Sequence, residues 1–406
     1  MEPKIRFKGF EGEWKTSTIG EIAPLSGGYA FQSNHFSSVG IPIVRISNIL
    51  ETGIVGGDFA KYATFNGDAE FRLYDGDAVI AMSGATTGKV AVVHTQGFLY
   101  QNQRVGKFTK TDKVNYDFLT TIVKSHKFRA DLSCLLTSSA QPNASSRDID
   151  SIMQRIPLDK NEQKTIGKYF TSLDSQISAS TSRLASLKQM KSASLQAMFP
   201  QEGETVPKIR FKGFEGEWKK VKLGDIAKFS KGQGYSKSDF KKTGHPIILY
   251  GRMYTKYQFA IDEVDTFANL KDASILSEGN EIIMPASGET PEDIACASAV
   301  LAKDIILGGD LNIMHFDLTK FSTPFIALVI TYCKTHHDLS KCAQGKSVVH
   351  LHNGAISKAI ISLPSLAEQQ AIASYFTSLD RQISLQSQRL EKLKQIKSAC
   401  LDKMFV

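Results

Sequence analysis

Cysteine is scarce: five in 406 residues, at Cys134, Cys296, Cys333, Cys342 and Cys400, an odd number with no C-x-x-C spacing. That pattern suits neither a disulfide framework nor a structural zinc site, and it does suit a reducing compartment. No apolar run approaches the ~20 residues that cross a bilayer. The opening MEPKIRFK carries charge where a secretion signal would carry a hydrophobic segment. The expectation is a soluble, cytoplasmic protein. Charge of one sign is not greatly in excess either. The 49 Lys and Arg against 41 Asp and Glu leave +8, which permits a polyanionic partner without demanding one. At 42% hydrophobic and 22% charged, the composition is globular rather than disordered, and the length exceeds one compact core.

Catalytic motifs are missing as well. GATTGKV at 84–90 imitates a phosphate loop but is one residue short between its glycines, and Val90 stands where a hydroxyl would hold Mg²⁺. Glu13-Trp14-Lys15 and Glu217-Trp218-Lys219 imitate the end of a nuclease site, yet no Asp precedes either at suitable spacing. There is no [ND]-P-P-[YFW] tetrad and no G-x-G-x-x-G, and His336-His337 and His350-x-His352 lack an H-E-x-x-H context. No active site and no metal site are expected.

What the chain does have is a repeat. PKIRFKGFEGEW stands at 3–14 and again, unchanged, at 207–218. A second pair closes each half: 162–199 aligns without gaps to 368–405, with 23 identities in 38 positions. Both closing segments follow a proline (Pro157, Pro364) and lack internal proline, and the only glycine in either is Gly167. Apolar residues recur at steps of three and four: Ile166, Phe170, Leu173, Ile177, Leu184 and Leu187, then Ile372, Phe376, Leu379, Ile383, Leu390 and Leu393. A stripe that narrow on so long a helix needs a partner, and the other copy carries a matching one. The expectation is an antiparallel pair, a rod roughly 55–60 Å long with a domain at each end.

Between the shared ends the halves diverge and read as mixed α/β. Strand-like runs stand at 41–46, 78–82, 90–93, 246–250 and 281–284; 118–127 and 323–334 read as helices. Features keep a common order: SGGY at 26–29 with KGQGY at 231–235, GIPI at 40–43 with GHPI at 244–247, AMSG at 81–84 with PASG at 285–288, and SAQ at 139–141 with CAQ at 342–344.

This ordered set, occurring twice, resembles the specificity subunit of type I restriction-modification systems over nearly the whole chain. The resemblance implies two α+β (mixed α/β) target recognition domains joined by two long antiparallel coiled-coil helices, a pseudo-twofold tandem repeat. The expected bounds are a first recognition domain at 1–157, a spacer helix at 158–200, a second recognition domain at 201–363 and a second spacer helix at 364–406. The resemblance also implies a bipartite, asymmetric duplex DNA site. Its partners would be two methyltransferase subunits carrying S-adenosylmethionine and two motor-nuclease restriction subunits using ATP and Mg²⁺. This chain itself would hold no cofactor and be no enzyme.

Reading base edges takes Arg, Lys, Asn or Gln placed for paired hydrogen bonds, and loops rich in these types are the candidates. In the first half they are Tyr29, Gln32, Asn34 and His35; Thr86, Thr87 and Lys89; Gln101, Asn102, Gln103 and Arg104; and Gln141, Asn143 and Arg147. In the second they are Lys231, Gln233, Tyr235 and Lys237; Arg252, Tyr254 and Lys256; Glu289 and Thr290; and Gln344, Lys346, His350, His352 and Asn353. Eight lysines against Asp225 and Asp239 within 219–242 form a candidate phosphate-contacting face.

Overall fold

A computed structural model describes residues 3–136 and 143–405. The chain divides into two units, residues 1–183 with 386–406 and residues 184–385. Each long helix, Lys160–Ala197 or Leu366–Met404, therefore gives one end to each unit.

The first unit holds β1 (Lys15–Thr18), β2 (Leu25–Ser26), β3 (Ile41–Val44), β4 (Lys61–Tyr62), β5 (Arg72–Leu73), β6 (Ala78–Ala81), β7 (Val90–Val92), β8 (Leu99–Gln101), β9 (Val105–Phe108) and β10 (Met153–Ile156). They form sheets in the orders β2-β9-β6-β7 and β4-β3-β8-β5, plus the pair β1-β10. The apolar run AVIA of β6 is buried on both faces, as a central strand between β9 and β7 requires. In the second unit come β11 (Lys219–Lys222), β12 (Ala227–Lys231), β13 (His245–Ile248), β14 (Ala260–Ile261), β15 (Phe267–Ala268), β16 (Glu281–Pro285), β17 (Ser287–Gly288), β18 (Ser298–Val300), β19 (Ile306–Leu307), β20 (Leu311–Phe316), β21 (Val349–His350) and β22 (Ile360–Leu363). Their orders are β12-β20-β16-β18-β14 and β15-β13-β19, with pairs β11-β22 and β17-β21. The topology is repeated: β3 pairs in parallel with β8, and β13 with β19.

The helix expected at 118–127 is two. Tyr116–Val123 ends near Lys124, and His126–Leu136 begins anew because the buried Ser125 hydroxyl accepts the Phe128 amide (3.1 Å). Likewise Thr323–Tyr332 gives way to Lys334–Cys342 through an extended Cys333.

The repeated motifs meet in each unit. Glu162, 1% exposed, receives both Nε and a terminal nitrogen of Arg6, each at 2.7 Å, while Arg6 also donates to the carbonyls of Gly12 and Glu11. Glu368 holds Arg210 in the same fork at 2.6 and 2.7 Å, and Arg210 donates to the carbonyls of Gly216 and Glu215. The neighbouring glutamines act alike. Gln163 donates to the Pro157 carbonyl and accepts the Asn115 amide; Gln369 donates to the Pro364 carbonyl and accepts the Ser322 amide. The Glu-Gln pair at each helix entry is thus a latch. It ties the opening motif, the preceding proline and a domain helix to one turn.

The long helices run antiparallel within each unit. In the first, Asp174 pairs with Lys397 at 2.5 Å and the Ser180 carbonyl accepts Gln386 at 3.2 Å. In the second, Lys191 pairs with Asp380 at 2.7 Å and Ser194 meets Tyr375 at 2.8 Å. Of the apolar stripe, Ile166, Phe170, Leu173, Leu187, Ile372, Phe376, Leu379 and Leu390 are buried, whereas Ile177, Leu184, Ile383 and Leu393 are half-buried. Phe170 packs on Phe405 (ring centroids 6.3 Å) in the first unit and Phe376 on Phe199 (5.9 Å) in the second.

Candidate nucleic-acid interface

Backbone hydrogen bonds gather the candidate loops. In the first unit the Tyr29 amide donates to Gln101, Gln103 to Tyr29, Met82 to Arg104, and Ala144 to Met82. Four segments far apart in sequence are thereby drawn along one line. The second unit carries the same chain of bonds. Gln233 donates to Leu307, Gly309 to Gly234, Ala286 to Asp310, and Leu351 to Ala286. Approach is close at the first rung. A Cβ on Gly28 would lie 2.3 Å from the Gln101 and Asn102 carbonyl oxygens, and one on Gly232 would lie 1.9 Å from that of Gly308, so only glycine fits.

On this frame the side chains differ in availability. Gln32, Asn34, His35, Gln103, Arg104, Asn143 and Arg147 are exposed. Tyr29 is half-buried in rings, with centroids 5.0 Å from Phe31, 4.7 Å from Phe65 and 5.2 Å from Phe71. Thr87 donates to the Gly84 carbonyl, closing the 84–87 turn, and the Thr86 hydroxyl is buried without a partner. Lys89 pairs with Glu51. Asn102 accepts the Arg104 amide at 3.3 Å. One expected base reader is corrected: Gln101 is fully buried and spends its amide on the Ser26 and Val105 carbonyls, both at 2.8 Å, so it braces the frame instead of facing a ligand. Gln141 lies outside the described residues.

In the second unit Lys231, Gln233, Lys237, Glu289, Thr290, Gln344, Lys346, His350 and His352 are exposed. Pairing of β17 with β21 sets Ser287 opposite His350, and Asn353 reaches the Ser230 carbonyl at 3.1 Å, so 287–290, 344–353 and the end of β12 share one edge. Tyr254 flanks Gly288 there. Tyr235 hydrogen-bonds Ser274 and the Asn269 carbonyl. Arg252 is a second correction. Its guanidinium, 9% exposed, is committed to Asp265 (2.7 Å) and Gln258 (2.9 Å), with Lys256 also on Asp265 at 2.5 Å. These bonds from Lys256 and then Arg252 hold the Asp265 carboxyl down at about 2. All eight lysines of 219–242 are exposed.

Sequence reading missed the turn 308–310, which occupies in the second unit the place of 102–104 in the first. The signal was available in GGD directly before a β-run. Its Asp310 is exposed, with φ +58°. Among the described residues no group of three or more His, Cys, Asp or Glu could hold a metal, and no helix is long and apolar enough to cross a membrane.

A repeated frame bearing unlike loops defines a class: paired recognition domains on one chain. The family described as the type I restriction modification DNA specificity domain matches twice, over residues 11–189 and 215–395, and the chain belongs to that family. A curated relative, the Type I restriction enzyme MjaVIII specificity subunit of Methanocaldococcus jannaschii, is 27% identical over 179 residues, 41% of this chain and 40% of that protein. The match thus spans less than half of the relative's length. A solved type I restriction-modification S subunit from M. genitalium shares the fold, with a TM-score of 0.67 at 14% identity over 100% of this chain and 99% of that one.

Proposed function

We propose that this chain reads a bipartite, asymmetric duplex DNA site, one half by each unit, and directs partner subunits to it. The observation that carries the reading is the duplicated chain of backbone bonds, which holds two different sets of polar loop side chains in one arrangement. Phosphate contacts come from exposed lysines such as those of 219–242, base contacts from side chains on the gathered loops. The long helices, 38 and 39 residues, act as the spacer: at ~1.5 Å per residue they are long enough to reach between successive major grooves about 34 Å apart. Two methyltransferase subunits bring S-adenosylmethionine, and two restriction subunits bring ATP and Mg²⁺. The complex works in the cytoplasm.

The test exchanges residues 15–157 for those of another family member and maps methylated adenines in cells that also make the methyltransferase subunit. One half of the methylated site should change and the other persist. An unchanged site refutes the reading.

A further inference from the structure

A small cavity of about 70 Å³ in the first unit has Glu51, Gly53, Lys89, Lys124, Arg129 and Lys397 in its wall. Since one water needs ~10–15 Å³, it holds a few waters or one tetrahedral oxyanion, and no nucleoside. Its charges do not balance. Lys89 is met by Glu51; Lys124 and Lys397 share the single carboxylate of Asp174, at 3.2 and 2.5 Å; Arg129 has no ion pair among the described residues. Four cations therefore face two carboxylates. Lys124 is only 12% exposed, and burial, with Lys397 and Arg129 adding like charge, holds its ammonium below the usual lysine range in spite of Asp174.

The second unit treats the matching ion pair differently. Lys191 bonds Asp380 at 2.7 Å and lies 5.5 Å from the Tyr332 ring centre and 6.0 Å from that of Phe259. One cation, one carboxylate and two rings leave no surplus charge. The cationic cavity is therefore a property of the first unit alone, not of the shared frame.

We infer that this cavity takes one phosphate of the DNA backbone. The inference rests on the proposed DNA reading, because Lys89 lies two residues beyond the 84–87 turn of the candidate interface. A duplex seated on that turn would present a phosphate to Lys89 and to the exposed Arg129, whose forked donors suit its oxygens. GATTGKV would thus meet a phosphate after all, through its lysine and not as a nucleotide loop.

Arg129→Gln is the main variant, since Arg129 is exposed and its loss leaves no buried partner; matching melting temperatures control for folding. Phosphorus NMR titration of the full chain with inorganic phosphate should show saturable binding, weakened about ten-fold by the substitution. For the chain with its methyltransferase subunits, Arg129→Gln should weaken target and unrelated duplexes alike. The slope of log affinity against log salt should become shallower by about 0.9. Weaker phosphate binding with an unchanged slope would make this a free-anion site and overturn the inference. So would an unchanged slope with loss of methyltransferase association, which would assign the cavity to an acidic protein side chain. Absence of phosphate binding overturns it outright. A wild-type complex that binds every duplex equally would sink the recognition reading, while the slope comparison would still decide the phosphate contact.

Discussion

The two units share a frame and differ in how they fix their loops. In the first, rings do it: Tyr29, Phe31, Tyr62, Phe65, Phe71 and Tyr100 pack with centroids 4.7 to 6.5 Å apart. In the second, charges and hydroxyls serve. Lys271 pairs with Asp239 and lies 4.3 Å from the Tyr235 ring centre, Tyr235 bonds Ser274, and Asp265 gathers Arg252 and Lys256. What stays constant is the backbone ladder and the Glu–Arg latch. Loop side chains can therefore vary, because the frame is held by main-chain groups and by the latch.

The sharpest way to break this comparison is through its common part. Glu162→Ala removes the carboxylate fork from the largely buried Arg6, and Glu368→Ala removes it from Arg210; each should cost its own unit about 3 kcal/mol. The only two tryptophans, Trp14 (7% exposed) and Trp218 (3%), lie one in each unit's core, so fluorescence in single-tryptophan variants reports each unit separately during urea unfolding. Equal losses would establish the latch as shared machinery, and a loss confined to one unit would end the equivalence. Next comes the cement. Phe65→Ala should destabilise the first unit by about 2 kcal/mol, insensitive to salt, since ring packing is lost. Asp265→Ala should cost the second unit about 1 kcal/mol, because Asp265 is 62% exposed and Gln258 still holds the buried Arg252. That loss should shrink in high salt. A salt-sensitive Phe65 effect would contradict the distinction.

Much of this was legible in the sequence, for identifiable reasons. The duplication was plain in PKIRFKGFEGEW and in the helix entries, and the stripe from Ile166 to Leu187 reads as a helix because side chains alone set that period. The latch was not legible. Arg6 and Glu162 are 156 residues apart, and a charge pair at that separation leaves no local signature. The helix break at Ser125 escaped for the opposite reason: one buried hydroxyl outweighs an otherwise helical run. Gln101 and Arg252 looked like base readers because residue type does not reveal which polar groups the frame consumes.

The second unit also buries a charge that no ring or cation relieves. Glu281 on β16 is 2% exposed, its Oε1 accepts the Glu278 amide, and Oε2 has no partner. Burial pushes its carboxyl up to about 6. A raised folded value means the folded state holds the proton more tightly. The contribution is then complete below about pH 4.5 and lost as pH rises through 6. Glu281→Gln should accordingly stabilise the second unit by about 2 kcal/mol at pH 8 and by almost nothing at pH 4.5. Trp218 fluorescence in denaturant at the two pH values measures the difference. An equal effect at both would mean that burial does not raise the carboxyl.

The smallest expected change in stability tests the correspondence between Arg104 and Asp310, the two exposed residues whose carbonyls accept Met82 and Ala286 in the matched ladders. Only their main chains serve the frame, so Arg104→Ala and Asp310→Ala should each shift stability by no more than about 0.5 kcal/mol. Their side chains are free for a ligand, and they carry opposite charge at equivalent places. Arginine donates to guanine edges and a carboxylate accepts from cytosine. If both face bases, Arg104→Ala should relax methylation at one position in one half-site, and Asp310→Ala at one position in the other, each by roughly 1–3 kcal/mol of discrimination. Adenine mapping with variant and parent in the same host would read both out. Relaxation of both half-sites by either variant would show that the units do not read independently, and the comparison from which these predictions come would fail.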